Sequence, residues 1–350
     1  MNRIENKLYR EDVARTARLD LPWERLQNKT LLLSGATGTI GSFLTDVLML
    51  RNREYQMGCT VLALTRNPEK AAVRATPEWK DVQFLPCDLN KGIPAVSTKV
   101  DFVVHAASNT HPVAYATDPI GTIATNIIGT QNMLELAAEQ HAERCVFLSS
   151  VEIYGENRGD VDRFPEDYCG YINCNTLRAG YPEGKRAGEA LCQAYIRQKG
   201  LDIVIPRLPR IYGPTMLESD TKAISQFLKK GIRGEDIVLK SVGNQLYSYS
   251  YIADAVSAIL FCLFQGKSGE AYNLGDPTSD ITLKELAGLI AAYAKKSVVF
   301  ELPSETEQAG YSKATKALLD GTKLRSLGWK PHYGITEGIP RTLDIMKSLL

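Results

Sequence analysis

Short apolar runs alternate with amphipathic stretches along most of this chain. Thr30–Ser34 (TLLLS) is an apolar run that breaks into glycines and is followed by a helical pattern from Ile40 to Leu50. Val61–Thr65 (VLALT), Val82–Leu85, Val100–His105 (VDFVVH), Arg144–Ser149 (RCVFLS) and Ile203–Leu208 repeat the apolar theme, each of a length suited to a strand buried on both faces. Between several of them the period becomes that of a helix. Thr122–Gln140 is apolar at Ile123, Ile127, Met133, Leu134 and Ala137, and Tyr181–Lys199 at Ala187, Ala190, Leu191 and Ala194. Such alternation predicts an α/β fold with a doubly wound parallel sheet, because parallel strands need crossovers that cover both faces. Past residue 213 the alternation loosens, with a helix predicted near Lys222–Lys230, a strand near Ile237–Leu239 and a helix over Ala253–Phe264.

Composition narrows the picture. The 350 residues are 44% hydrophobic, enough for a sizeable core. With 41 basic against 40 acidic residues the net charge is +1, and no overall field favours nucleic acid or an acidic membrane. The opening MNRIENKLYREDVARTARLD lacks the unbroken apolar core of a signal peptide, and no uncharged 18-residue apolar run occurs elsewhere. A soluble cytoplasmic protein is expected. Seven cysteines without a CxxC and four histidines without ligand spacing predict reduced thiols and no metal centre.

The first candidate chemistry lies in Ser34-Gly35-Ala36-Thr37-Gly38-Thr39-Ile40-Gly41. These glycines stand between a strand and a helix, the context that makes their spacing meaningful. Gly35 suits a tight turn, Gly38 lets the backbone approach a pyrophosphate, and Gly41 lets helix and strand pack closely. Thr37, Thr39 and Ile40 complete a helix start whose free N–H groups suit phosphate oxygens. A nicotinamide dinucleotide, NAD(P), is the cofactor predicted. An acidic residue would select NAD at the end of the second strand, but Ala63-Leu64-Thr65-Arg66-Asn67 stands there, and Arg66 suits a 2′-phosphate. NAD and NADP both remain open. Asp88, followed by Leu89 after the third strand, is a candidate adenine contact. The predicted domains are an N-terminal extension (1–27), a dinucleotide-binding Rossmann domain (28–212, with 246–265 returning to it), and a smaller discontinuous substrate lobe (213–245 and 266–350).

Tyr181-Pro182-Glu183-Gly184-Lys185 sets a tyrosine and a lysine four apart on one helix face. Among 16 tyrosines that spacing alone is weak, and its place after the apolar strand at Arg144–Ser149 gives it weight. That strand ends in Ser149-Ser150-Val151-Glu152-Ile153-Tyr154-Gly155. A phenol near pKa 10 is a poor base at neutral pH, but a nearby ammonium and a positive nicotinamide favour phenolate. Tyr181 is therefore the candidate base for a sugar hydroxyl, Lys185 its partner and an anchor for the nicotinamide ribose, and Ser150 a hydrogen-bonding guide. Glu152 is a candidate acid/base or orienting group.

Together these residues resemble the extended short-chain dehydrogenases/reductases that modify nucleotide sugars, over about residues 28–347. His105-Ala106-Ala107-Ser108, the Thr125–Thr130 stretch, Arg207 through Pro214, Tyr251–Ala255 and Tyr272–Gly275 carry the resemblance further. It implies that Ala106, Ala107, Ser108, Asn126, Ser149, Leu208 and Pro209 line the cofactor site with Tyr181 and Lys185. UDP-glucuronate decarboxylases are the group most similar in Ser150–Gly155, in Ala107–Tyr115 (ASNTHPVAY) and in Arg178–Arg186 (RAGYPEGKR). The substrate contacts so implied are Tyr115, Arg178, Arg210 and Tyr247. Two arginines of that pattern are missing, Tyr247 standing at one place and Thr215 at the other, while Arg210 replaces an asparagine. Each lost charge-assisted phosphate bond is worth about 1.5–3 kcal/mol, and Arg210 replaces them in part.

The resemblance implies redox-neutral C4 oxidation of a nucleotide sugar followed by decarboxylation. Epimerisation and 4,6-dehydration are the alternatives, then an NADP-dependent keto-sugar reductase and, outside catalysis, a dinucleotide-sensing binding protein. A homodimer through the helices at 122–140 and 181–199 is also implied. No nucleic-acid or membrane partner is expected.

Overall fold

The computed structural model describes residues 2–110, 112–304 and 314–350. Its first seven strands are β1 (Thr30–Ser34), β2 (Thr60–Thr65), β3 (Val82–Pro86), β4 (Phe102–His105), β5 (Arg144–Phe147), β6 (Ser149–Ser150) and β7 (Ile203–Leu208). Seven more follow: β8 (Arg210–Tyr212), β9 (Ile237–Leu239), β10 (Leu246–Tyr251), β11 (Ala271–Asn273), β12 (Asp280–Thr282), β13 (Val298–Phe300) and β14 (Lys316–Ala317). The main sheet runs β3-β2-β1-β4-β5-β7-β11, with β6 also on β7, and every pairing in it is parallel. The predicted fold is the one observed.

Its strands are buried on both faces, and alternate residues feed two separate cores. Leu31, Leu33, Val61, Ala63 and Val104 pack with helices α1 (Lys7–Ala17) and α2 (Thr39–Tyr55). Leu32, Leu62, Val103, Cys145 and Ile203 pack on the other side, joined there by Met133, Leu134 and Cys192. After α3 (Pro68–Arg74) and α4 (Pro112–Thr117), those last residues come from α5 (Pro119–Glu139) and α6 (Gly180–Lys199). Helix α6 lies close on the sheet because Gly188 has no side chain, and a Cβ there would meet the Phe147 ring at 2.5 Å. Parallel strands put all their C-terminal ends on one edge, and between β1 and β4 the chain reverses its order, the usual crevice for a ligand.

Three parts of the predicted organisation change. The N-terminal extension is an integral helix: Tyr9, Val13 and Ala17 of α1 are fully buried. It is anchored at the buried Asp46 carboxylate on α2, which accepts from Arg3 Nε (2.8 Å), Tyr9 Oη (2.6 Å) and Trp79 Nε1 (2.5 Å). Breaking such a buried pair costs about 3–5 kcal/mol. Secondly, β10 does not return to the main sheet but forms a second one with β8, β12 and β14, while α7 (Ile252–Gln265) does pack against the main one. Thirdly, β11 leaves the predicted lobe and closes the edge of the main sheet beside β7. Periodicity reports which face a strand buries and not its partner, and three residues are too few for a period.

Five cysteines are buried fillers as expected, whereas Cys169 and Cys174 are exposed, and all seven are unpaired. Among the described residues no group of side chains has metal-ligand geometry, and no helix is long and apolar enough to cross a membrane.

Candidate active site

The glycine turn joins β1 to α2 with each glycine needed for its own reason. Gly35 has φ +74°, and a Cβ on it would lie 2.9 Å from the Ala106 carbonyl carbon and the Ala107 nitrogen. A Cβ on Gly38 would come to 3.2 Å from the Gly35 oxygen, and one on Gly41 to 2.2 Å. No side chain caps α2, so its first N–H groups are left to a ligand. Thr37, Thr39 and Ile40 are half-buried around it. The cradle fits a pyrophosphate.

A buried relay stiffens the cradle from behind. The Ser34 hydroxyl accepts from the backbone N–H groups of Ala106 and Ala107 (both 3.1 Å) and lies 2.7 Å from His105 Nδ1. On the other side Thr130, whose hydroxyl donates to Asn126 O, lies 3.1 Å from His105 Nε2. Thr130 can then only accept, so Nε2 carries the proton and Nδ1 accepts from Ser34. Burial, with Lys185 second, holds His105 down to about 3 and keeps it neutral. Ser108 donates to Asn126 Oδ1 at 2.9 Å, which brings two of the expected cofactor residues together.

At the far end of the crevice Arg66 is exposed, and no carboxylate follows β2: Asn67 caps α3 by accepting from Lys70 N at 2.9 Å. Asp88 accepts from Asn90 N (3.1 Å) with its side chain 37% exposed, and Leu89 packs against Gly129. Leu208 and Pro209 end β7, where Pro209 separates it from β8.

Tyr181 and Lys185 stand on the first turns of α6, both buried. Burial pushes the Tyr181 phenol up to about 12, opposed by a hydrogen bond from Ser150. Ser150 in turn accepts from Glu152 N at 3.2 Å. The Lys185 ammonium donates to Leu148 O (2.8 Å) and lies 4.8 Å over the Phe147 ring. Burial brings it down to about 8. Both the Ser150 hydrogen bond and the Arg178 guanidinium favour the phenolate of Tyr181, and the Glu152 carboxylate opposes it.

Sequence reasoning missed the support beneath this pair. Glu189, one turn beyond Lys185, accepts from Ser149 Oγ (2.5 Å) and pairs with Arg207 through Nε (3.0 Å) and Nη2 (2.6 Å). The Ser149 hydroxyl is thereby turned to this pair. Ser149 is opposite Arg207 in the β6–β7 register, so the bidentate pair ties the helix of Tyr181 to β7 while the Ser149 bond ties it to the strand of Ser150. Its signal was available: Tyr181, Lys185 and Glu189 recur every four residues on one face.

Next to the cluster opens a cavity of 470 Å³, lined at one end by Tyr115, Glu152, Arg178, Arg210 and Tyr247 and at the other by Phe227, Leu239 and Lys230. The Tyr115 ring lies 5.2 Å from that of Tyr181. Glu152 meets Arg178 at 2.8 Å and Arg210 at 3.8 Å. All four expected substrate residues thus share one cavity. His111, within the run that suggested Tyr115, lies outside the described residues.

Residues 31–275 match the model of the NAD dependent epimerase/dehydratase family. The chain belongs to that family. Its relatives include UDP-glucuronic acid decarboxylase 1 of Danio rerio, 31% identical over 319 residues, which are 90% of this chain and 72% of the relative. UDP-glucuronic acid decarboxylase 5 of Arabidopsis thaliana is 31% identical over 314 residues, 89% of this chain and 88% of the relative. Among solved structures, a UDP-glucose 4-epimerase from Thermotoga maritima superposes with TM-score 0.77 at 21% identity, covering 91% of this chain and 99% of its own. A dTDP-glucose 4,6-dehydratase from Streptomyces venezuelae with NAD bound gives 0.76 at 24%, covering 91% and 97%. In this epimerase/dehydratase chain the cofactor is a nicotinamide dinucleotide, and the glycine cradle is where its pyrophosphate fits.

Proposed function

We propose that this protein is a nucleotide-sugar decarboxylase acting on UDP-glucuronate or a close UDP-uronate. The carrying observation is the cluster of Glu152, Arg178 and Arg210 one ring away from Tyr181, which offers two cations to an anionic sugar beside the candidate base. The similarity to UDP-glucuronic acid decarboxylases over about nine-tenths of this chain supports the same choice.

Gly35, Gly38, Gly41 and the start of α2 would hold the pyrophosphate, with Ser108, Asn126 and Lys185 further along the crevice. When bound, the nicotinamide supplies the two-electron acceptor and donor for C4 of the sugar. Tyr181 takes the proton of the C4 hydroxyl, and the hydrogen bond from Ser150 stabilises the phenolate as it forms. Once C4 is a ketone, the carboxylate on C5 is β to it: the C5–C6 bond breaks, its electron pair enters an enolate, and carbon dioxide leaves. Glu152 would orient the sugar and relay a solvent proton to C5, and Tyr181 would give its proton back to the C4 oxygen. Burial of Tyr181 and Lys185 excludes water from the transfers at C4.

Incubation with UDP-glucuronate and NAD+ is expected to release carbon dioxide and leave a UDP-pentose. A product that keeps its carboxylate would move the function to epimerisation, and turnover of UDP-glucose alone to dehydration. We also place a homodimer interface on α5 and α6, the α5 side contributing the exposed Ile120, Ile123 and Ile128, and a monomer by light scattering would contradict it. Seven unpaired thiols agree with a reducing compartment, and we place the reaction in the cytoplasm.

A further inference from the structure

Two departures from the decarboxylase pattern face each other across one strand pair. Strands β8 and β10 run parallel with Arg210 opposite Tyr249, which puts Tyr247, two residues earlier, on the same face. The Arg210 guanidinium carbon lies 3.4 Å from the centroid of the Tyr247 ring. Tyr247 itself is fixed by its hydroxyl, which donates to Ala314 O at 2.7 Å. An arginine is thus missing from β10 and present on β8, over the ring of the residue that replaced it.

The donors in this corner are under-used. Arg210 Nη1, Arg178 Nε and Arg178 Nη1 are buried without a hydrogen-bond partner. Arg178 lies 4.5 Å over the Tyr115 ring, so both guanidinium groups are held by aromatic faces and converge on the single carboxylate of Glu152. Two cations against one anion leave one positive charge unbalanced, and buried charged donors are costly to leave unpaired. An oxyanion supplies what is missing.

We propose that positions 210 and 247 are a reciprocal exchange, in which Arg210, stacked on Tyr247, joins Arg178 to grip an oxyanion at the sugar end of the cavity. The oxyanion is a sugar carboxylate or the phosphate next to the sugar, and the inference rests on the nucleotide-sugar function given above. Arg210 touches the ligand; Tyr247 is a positioning residue that acts through it. Stacking leaves the planar N–H edge of the guanidinium free for a bidentate contact, which a lysine would not offer.

The test is calorimetric titration, in a Tyr181→Phe background that blocks turnover, of the dinucleotide-loaded protein with UDP, UDP-glucose and UDP-glucuronate. Arg210→Gln is expected to weaken binding about ten- to a hundredfold, the loss for one charge-assisted contact. A loss confined to UDP-glucuronate assigns the carboxylate, an equal loss for all three ligands assigns the phosphate, and unchanged binding of all three overturns the clamp. Tyr247→Leu should reproduce the loss and Tyr247→Phe, which keeps the ring, should stay within about twofold of the wild type. Equal losses in Leu and Phe variants would overturn the stacking role. The double variant Arg210→Asn/Tyr247→Arg should recover affinity lost in Arg210→Asn, and no recovery would refute the exchange. Binding is read without turnover, so a protein that binds with these differences but, with Tyr181 in place, releases no carbon dioxide would lose the decarboxylase function and keep the clamp. Wild-type protein that binds none of the three ligands would refute both.

Discussion

Replacing Tyr181 by phenylalanine is expected to lower turnover by roughly 10²–10⁴-fold, the usual contribution of a positioned acid/base, while purified protein retains its dinucleotide. The substitution removes one oxygen. The ring keeps its packing on Tyr115, 5.2 Å away, and Lys185 keeps its bond to Leu148 O, so neither α6 nor the crevice has reason to move. What disappears is the phenol oxygen that the Ser150 hydrogen bond reaches beside Tyr115. The decisive comparison is turnover against dinucleotide released on denaturation. Activity within about tenfold of the wild type would remove Tyr181 from the chemistry.

Gly41→Ala should act on the other half of the site and through backbone alone. A Cβ there would stand 2.2 Å from the Gly35 oxygen and 2.7 Å from the Ala36 Cα, both atoms of the turn itself. The turn cannot recoil freely, because the Ser34 hydroxyl just before it is pinned by the N–H groups of Ala106 and Ala107 and by neutral His105. Overpacking of this kind costs about 1–3 kcal/mol, and the N–H groups of α2 are displaced from the phosphate position. Loss of dinucleotide from the purified protein and a lower urea midpoint are expected. Gly288→Ala is the control: its Cβ meets nothing within 4 Å on a helix, so equal or slightly higher stability is expected. Full cofactor retention in Gly41→Ala would show that the turn does not bind the pyrophosphate.

These two positions were legible in the sequence for different reasons. The glycine turn declared itself because a strand, three glycines and an amphipathic helix stand in unbroken succession, and local order along the chain is what periodicity reports. Tyr181, Lys185 and Ser150 were legible through their places at the ends of successive elements of the same sheet. Four substrate candidates, Tyr115, Arg178, Arg210 and Tyr247, came from resemblance, and the structure brings them to one cavity.

What stayed hidden was pairing. The N-terminal charges looked like a solvated extension because Arg3 and Tyr9 meet their partner Asp46 about forty residues away in sequence. The strand of Tyr247 looked like part of the main sheet, since six residues alternating apolar and small carry no label for the neighbour they pair with. The stacking of Arg210 on Tyr247 follows from that unread pairing. Seen as isolated departures, the two residues read as losses of positive charge; seen across β8 and β10, one offsets the other.

The most direct measurement follows the carboxyl carbon. UDP-glucuronate labelled with ¹³C at C6, incubated with the purified protein and NAD+ and observed by NMR, should give labelled bicarbonate and unlabelled UDP-pentose in equal amounts, with no matching rise in NADH absorbance. Label that remains in the sugar, or NADH formed in step with sugar consumed, would contradict redox-neutral decarboxylation at the Tyr181, Lys185 and Ser150 site.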